Sequence, residues 1–438
     1  MFKTESGSVG RTQSLAPQLD RVILPSLKEL AAPNTTTTSP PYSPTNAPIF
    51  QLSSDSQFAF YLEEVLALAN NDGAATGEVL RIATQMIPHD FESTYNAFYP
   101  MAQGIYAQAE SALANNNPVS AKEAYLRAAS YYRGADFFLI GNWSDPRVDS
   151  LWDQQLDAFN KAIALMEVRV ENFTLQAHSP NVPGGKFEVI GRFYRSKNAV
   201  GKTPTVVVVN GYDGSQEESY HTIGLEILKH GYNFVSYEGP GQPTIRRNQN
   251  IGFIPDWYNY LSKRTDVDMT KLPMIGISFG GTLAPVAASK DHRFTEVVAL
   301  DGLNGSVNEF NAIVHDIQAN STYPSNFRWF IDQSLYAFNT TSPYEWFGRL
   351  GNITMGPEVV KNLTQPVFVA KGQDDTMSLN QPNLAYDSLV SGRPNGKSLT
   401  YFHEFNISMG AGEHVAIGAE AQQAQAVMDW LKGVWEKA

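Results

Sequence analysis

Met274-Ile275-Gly276-Ile277-Ser278-Phe279-Gly280-Gly281-Thr282-Leu283-Ala284-Pro285-Val286-Ala287-Ala288 reads as a short apolar strand, a tight turn and a helix, and this stretch decides the fold. Within it, Gly276-Ile277-Ser278-Phe279-Gly280 is a Gly-x-Ser-x-Gly pattern. Its glycines relieve crowding where a strand turns sharply into a helix and lifts a serine hydroxyl above the sheet. Pro285 falls inside the helix and is expected to kink it.

Working outward, residues 186–438 alternate short apolar runs with helical stretches, the pattern of a mostly parallel sheet. The predicted strands are 187–194, 205–210, 234–237, 274–277, 297–300, 367–370 and 399–405. Val206-Val207-Val208-Val209 and Val367-Phe368-Val369-Ala370 are unbroken apolar runs, as expected for strands buried on both faces. The stretch 303–362 is an insertion rich in rings, among them Phe310, Tyr323, Trp329 and Phe330, expected to cover the sheet's C-terminal edge.

Toward the N-terminus the period changes. Phe58, Leu62, Val65 and Ala69 share a helical face, Ser120-x-x-Glu123 reads as a capping box, and Trp152, Leu156, Phe159, Ile163 and Met166 mark a third helix. Residues 49–185 are therefore read as an α-helical cap, and 1–48, dominated by Ser, Thr and Pro, as an irregular arm. A helical hairpin around Tyr106–Tyr132 is similar to a tetratricopeptide unit, but no second copy follows at a fixed period.

Composition narrows the function. The chain has 438 residues and a formal charge of −12, with no basic tract, which disfavours nucleic acid and anionic membrane surfaces as partners. Cysteine is absent, so disulfides, thiolate metal sites and a cysteine nucleophile are excluded. No stretch approaches the ~18 apolar residues of a membrane span, and the opening Met1–Ser6 lacks a secretory signal, so a cytoplasmic location is expected.

A serine hydroxyl is a poor nucleophile until a base takes its proton, and in this architecture acid and base follow the serine in chain order. His414, in the glycine-rich stretch Met409–His414 after the last predicted strand, is the candidate base. Three aspartates at strand ends compete as its orienting acid: Asp374, Asp375 and Asp301. A tetrahedral intermediate needs N–H donors, expected from the Phe279 main chain and from Tyr212 in Asn210-Gly211-Tyr212-Asp213-Gly214. Candidate substrate contacts are Asp213, Glu238, Arg246, with Arg247 beside it, and Trp329. No metal or organic cofactor is implied.

With its helical cap, Asn210–Gly214, Tyr237-Glu238-Gly239-Pro240-Gly241-Gln242-Pro243, Gly276–Gly281 and Gly372-Gln373-Asp374-Asp375, the chain over about 55–435 resembles the fungal polyketide-shortening hydrolases of pigment and toxin pathways. These are relatives of dihydroxypseudooxynicotine hydrolase and of FrsA-like esterases. The resemblance implies an α/β-hydrolase fold, a Ser278–Asp375–His414 triad, a polyketide-like small-molecule substrate, and hydrolysis of a carbon–carbon bond beside a carbonyl. Relatives often pair, so a homodimer is an expectation that no single residue carries. One departure is Asp256–Arg264, shorter than the family pattern, which implies looser packing behind Ser278 or a divergent substrate.

Two rivals stand beside this reading. One keeps the triad on another bond: an esterase, a thioesterase or peptidase, or an acyltransferase that closes a lactone. The other is a binding protein that retains the fold without catalysis.

Overall fold

A computed structural model describes residues 49–253, 264–302 and 325–437. The arm 1–48, most of the short segment 256–264, and the first part of the ring-rich insertion, including Phe310 and Tyr323, lie outside the described residues.

Eight strands form one sheet: β1 Val170–His178, β2 Lys186–Tyr194, β3 Thr205–Val209, β4 Asn233–Glu238, β5 Met274–Ile277, β6 Val297–Leu300, β7 Val367–Gly372 and β8 Thr400–Phe405. Their spatial order is β1-β2-β4-β3-β5-β6-β7-β8. Every pairing from β4 to β8 is parallel, whereas β1–β2 and β2–β4 are antiparallel. Strand β1 corrects the sequence reading, which left these residues in the cap. Its signal is a period of two: Phe173, Leu175 and Ala177 turn toward protein while Asn172, Thr174, Gln176 and His178 are exposed. The helical region thus stops at Ala164, and the sheet begins well before residue 186.

The same period of two explains the central strands. Val206 and Val208 pack on one face of β3 with Ile275, Val298 and Phe368. Val207 and Val209 pack on the other with Met274, Val297 and Val369. Both faces are dry, so the strands read as continuous apolar runs.

Among the described residues, five α-helices precede the sheet: α1 Ser56–Ala67, α2 Thr76–Ala83, α3 Phe91–Ala114, α4 Pro118–Asp136 and α5 Pro146–Ala164. Asp55, Asp90 and Asp145 cap α1, α3 and α5 through side-chain bonds to orphan backbone N–H groups. Helix α4 begins two residues before the expected capping box. Asn117 is its cap, accepting from the Ser120 amide at 3.3 Å, and Pro118 occupies the first turn, where a missing N–H costs nothing. Phe58, Tyr61, Leu62, Phe98, Tyr131 and Phe159 belong to the same apolar cluster as Val206, Val208 and Phe368, so the helices and one face of the sheet share a single core.

Three later helices bear on the site: α6 Pro243–Gln249, α7 Gly280–Lys290, which continues through Pro285, and α8 Ser325–Ala337. Among the described residues no helix is long and apolar enough to cross a membrane.

Candidate active site

The C-terminal ends of β5, β6 and β7 and the loop after β8 converge. At the end of β5, Ser278 has φ 55°, a left-handed conformation that costs a non-glycine residue of order 1 kcal/mol. The surroundings enforce it. The Ser278 amide donates to Leu300 O at 2.9 Å, and a methyl group on Gly276 or Gly280 would fall within 1.9 or 2.1 Å of a backbone oxygen, so the turn closes only with glycine at both positions.

His414 Nε2 lies 2.8 Å from Ser278 Oγ, and its Nδ1 lies 2.9 Å from Asp375 Oδ2. Beside a carboxylate, Nδ1 must carry the ring hydrogen, which leaves Nε2 to accept from the serine hydroxyl. Asp375 is itself tied down. Its Oδ1 accepts from the Met377 and Ser378 amides at 2.7 and 3.2 Å, and its Oδ2 accepts from the Ser378 hydroxyl. Of the three competing aspartates, only Asp375 is hydrogen-bonded to the imidazole among the described residues. The Asp374 side chain is exposed, and its amide donates to Gly412 O at 2.8 Å.

Asp301, at the end of β6, is buried behind His414. It accepts from the Gly372 amide at 3.0 Å and from the Val415 amide at 2.6 Å, so it fixes the loop that carries the imidazole. Burial pushes its carboxyl up to about 7, with His414 pulling it down and Asp375 pushing it up. Burial also opposes charge on the Asp375–His414 pair. Their mutual attraction and hydrogen bond outweigh it, holding Asp375 well below the carboxylate range and raising His414 above the ordinary imidazole range, with Asp301 and Glu64 adding to the latter. Asp301, Asp375 and His414 bring ligand-type atoms within 4.8 Å of one another. Both imidazole nitrogens are already engaged with Asp375 and Ser278, so the group reads as proton machinery.

The loop after β3 lies against the serine: a Cβ on Gly211 would sit 3.4 Å from Ser278 Cβ and 3.5 Å from Asp213 Oδ1. No acceptor among the described residues takes the Tyr212 or Phe279 amide, which leaves both available to an oxyanion. The Tyr212 ring meets Phe279, Trp329 and Phe330 edge to face at 6.5, 6.1 and 6.1 Å. Helix α8 thus sets two rings of the insertion beside the loop, and Trp329 Nε1 is buried without a partner.

Three expected substrate contacts are used elsewhere. Glu238 is fully buried and accepts from the Gln216 amide at 3.0 Å and the Thr244 amide at 2.6 Å, joining two chain segments. Arg246 is buried, donating to Tyr336 O at 2.6 Å and Asn250 Oδ1 at 2.5 Å while stacking on Trp143 and Tyr336. Arg247 donates to Asp136 Oδ2 at 2.7 Å and lies over the Trp152 ring at 4.1 Å. The two arginines fasten α6 to its neighbours because buried guanidinium groups need acceptors and ring faces.

Sequence reasoning missed the cap's contribution. Arg133 of α4 donates to Asp136 at 3.3 Å, to Glu218 at 3.2 Å and to the Asp213 carbonyl at 2.8 Å, joining the cap to the loop beside Ser278. Phe60 of α1 lies 6.5 Å from the His414 ring, and Glu64, one turn further on, is close enough to feel the charges of Asp213, Glu218, Arg133 and His414. The signal is the continuous apolar run Phe58-Ala59-Phe60-Tyr61-Leu62, wider than a single helical face and therefore buried on more than one side.

A mostly parallel sheet with a serine on a Gly-x-Ser-x-Gly turn, followed in the chain by the aspartate and histidine that meet it, has the α/β-hydrolase fold. No protein-family model matches the chain. Hydrolase LUC6 of a Fusarium species is 27% identical over 411 residues, covering 85% of this chain and 95% of that protein. The 20-hydroxy-prefusarin hydrolase FUS2 of Gibberella moniliformis is 30% identical over 256 residues, 56% of this chain and 60% of its own length. Among solved structures, 2,6-dihydroxy-pseudo-oxynicotine hydrolase matches 83% of this chain and 94% of its own with a TM-score of 0.64 at 17% identity, a likeness of fold. The chain is thus similar over most of its length to fungal hydrolases and shares the α/β-hydrolase fold.

Proposed function

We propose that the protein hydrolyses a carbon–carbon bond beside a ketone in a polyketide-type small molecule, with Ser278 as nucleophile, His414 as base and Asp375 as its orienting acid. The observation that carries this reading is the Ser278–His414–Asp375 chain of hydrogen bonds, at 2.8 and 2.9 Å, beside two unengaged amides. The ketone oxygen points at the Phe279 and Tyr212 N–H groups. Ser278 Oγ attacks the carbonyl carbon as His414 takes its proton, the tetrahedral centre collapses with release of the departing carbon, and water then clears the acyl-enzyme. Carbon leaves only when its electrons delocalise, which limits substrates to β-dicarbonyls and acylated phenols. The flat rings of Tyr212, Phe279 and Trp329 suit such molecules.

The test is product analysis in ¹⁸O-labelled water with acylated naphthopyrone-type polyketides and aryl esters. Label in a released carboxylic acid with loss of the acyl carbons, absent for Ser278→Ala, is the expected result. Turnover of esters alone overturns the carbon–carbon reading, and product formation by Ser278→Ala overturns the nucleophile.

A further inference from the structure

A carbon leaving group needs a proton, and His414, held between Ser278 and Asp375, is directed at the nucleophile's side of the reacting carbon. Helix α1 brings a second carboxyl to the site. Phe60 lies against the His414 ring, and Glu64, on the same helical face, makes no hydrogen bond or ion pair with any described residue while remaining half-buried. Across from it stands Asp213, whose Oδ1 and Ser278 Cβ both lie within 3.5 Å of the same point above Gly211. A further polar group in this neighbourhood lacks a partner: Trp329 Nε1, more than nine-tenths buried, on the ring that borders Tyr212. Asp213 and Trp329 thus border the loop beside Ser278, and Glu64 follows, one helical turn on, the ring that meets His414, so each is suited to an oxygen of a bound molecule.

We propose that Glu64 is the catalytic acid that protonates the departing fragment, with Trp329 Nε1 holding the fragment's oxygen. This rests on the hydrolase reading above. When the tetrahedral centre collapses, the carbon–carbon bond breaks, its electron pair passes to the departing fragment as an enolate or phenolate, and the Glu64 O–H proton goes to that fragment. The imidazolium, which carries the proton taken from Ser278, then gives it up to solvent water, and solvent reprotonates Glu64. Neutral His414 is thereby ready to activate the water that releases the carboxylic acid, so one water is consumed and no proton is left over.

The groups facing Glu64 are Asp213, Glu218, Arg133, His414 and Tyr61. Burial pushes its carboxyl up to about 8, with Asp213 and Glu218 pushing the same way against Arg133 and His414, so an acid is available at neutral pH.

The experiment compares wild type with Glu64→Gln and Glu64→Asp on a β-diketone, on phenyl acetate and on 4-nitrophenyl acetate, whose leaving group departs without a proton. Glu64→Gln is expected to lower kcat on the diketone by about 100-fold or more, to lower phenyl acetate less and to leave 4-nitrophenyl acetate within a few-fold. The alkaline limb of the diketone pH profile is expected to vanish in Glu64→Gln and to return in Glu64→Asp. Fluorophosphonate labelling of Ser278 at the wild-type rate shows that the variant is folded. Equal loss on all three substrates, or none, overturns the acid role. If wild type turns over only the esters, the carbon–carbon reading has failed on its own, and the phenyl to 4-nitrophenyl ratio still decides for or against Glu64.

Discussion

The two walls of the site hold their charges in different ways. On the sheet wall, Asp375 and Asp301 are held mainly by backbone N–H groups of short loops, those of Met377, Ser378, Gly372 and Val415. On the cap wall, Arg133, Asp136, Arg247 and Glu218 are held by one another across elements far apart in the chain. Loop amides orient a carboxylate whatever lies around them, whereas a buried ion network survives only while every member is present. The sheet wall is therefore where chemistry can be altered without unfolding the protein, and the cap wall is where stability and site geometry are one property.

Changes on the sheet wall should have the largest effect on rate. Ser278→Ala is expected to lower turnover by about 10⁴-fold or more with an unchanged melting temperature, read by product formation and calorimetry. Asp375→Asn is expected to cost about 10³–10⁴-fold by removing the carboxylate that fixes the imidazole tautomer. The reverse profile is expected on the cap wall. Arg247→Leu leaves the buried Asp136 with Arg133 alone, and thermal unfolding should show a loss of about 3–5 kcal/mol. A melting temperature unmoved by Arg247→Leu would break the comparison.

Asp301→Asn sharpens it. The rate should rise with pH as His414 loses its proton. Because Asp301 raises the imidazole, removing its charge should move that acidic limb to lower pH in a kcat/KM profile. The smallest change is expected at Lys122, whose exposed partner Asp72 lies 3.9 Å away; Lys122→Ala should fall within about 0.5 kcal/mol of wild type.

The same division governs what could be read in advance. Ser278 and His414 are legible because glycine-rich turns at strand ends are local in sequence and their steric needs are written beside them, whereas local pattern does not choose among Asp374, Asp375 and Asp301. Of the eight strands, β3, β6 and β7 follow from unbroken apolar runs of four residues, β2, β4, β5 and β8 are legible from apolar runs broken by single polar or glycine residues, and β1 escapes because its alternation is half polar. Glu238 fits the loop-steadying of its two expected roles, and Arg246 and Arg247 are engaged by protein groups. Their partners, Gln216, Tyr336 and Asp136, lie 22, 90 and 111 positions away, and no local pattern names them. Glu64 escapes for the same reason: beside Glu63 on a helix it reads as solvated until packing shows both carboxylates half-buried.

The shared core of α1 and the sheet also has a consequence for biosynthesis. Asn70, just past α1, donates at 2.8 Å to Glu420, 350 residues later, and Phe58 joins an apolar cluster that is complete only when Phe368 and Val427 arrive. A chain emerging from the ribosome therefore makes its amphipathic helices first and their covering surface last. Until almost the whole polypeptide has been synthesised, the N-terminal helices carry exposed apolar faces that a chaperone must shield or that aggregation will claim.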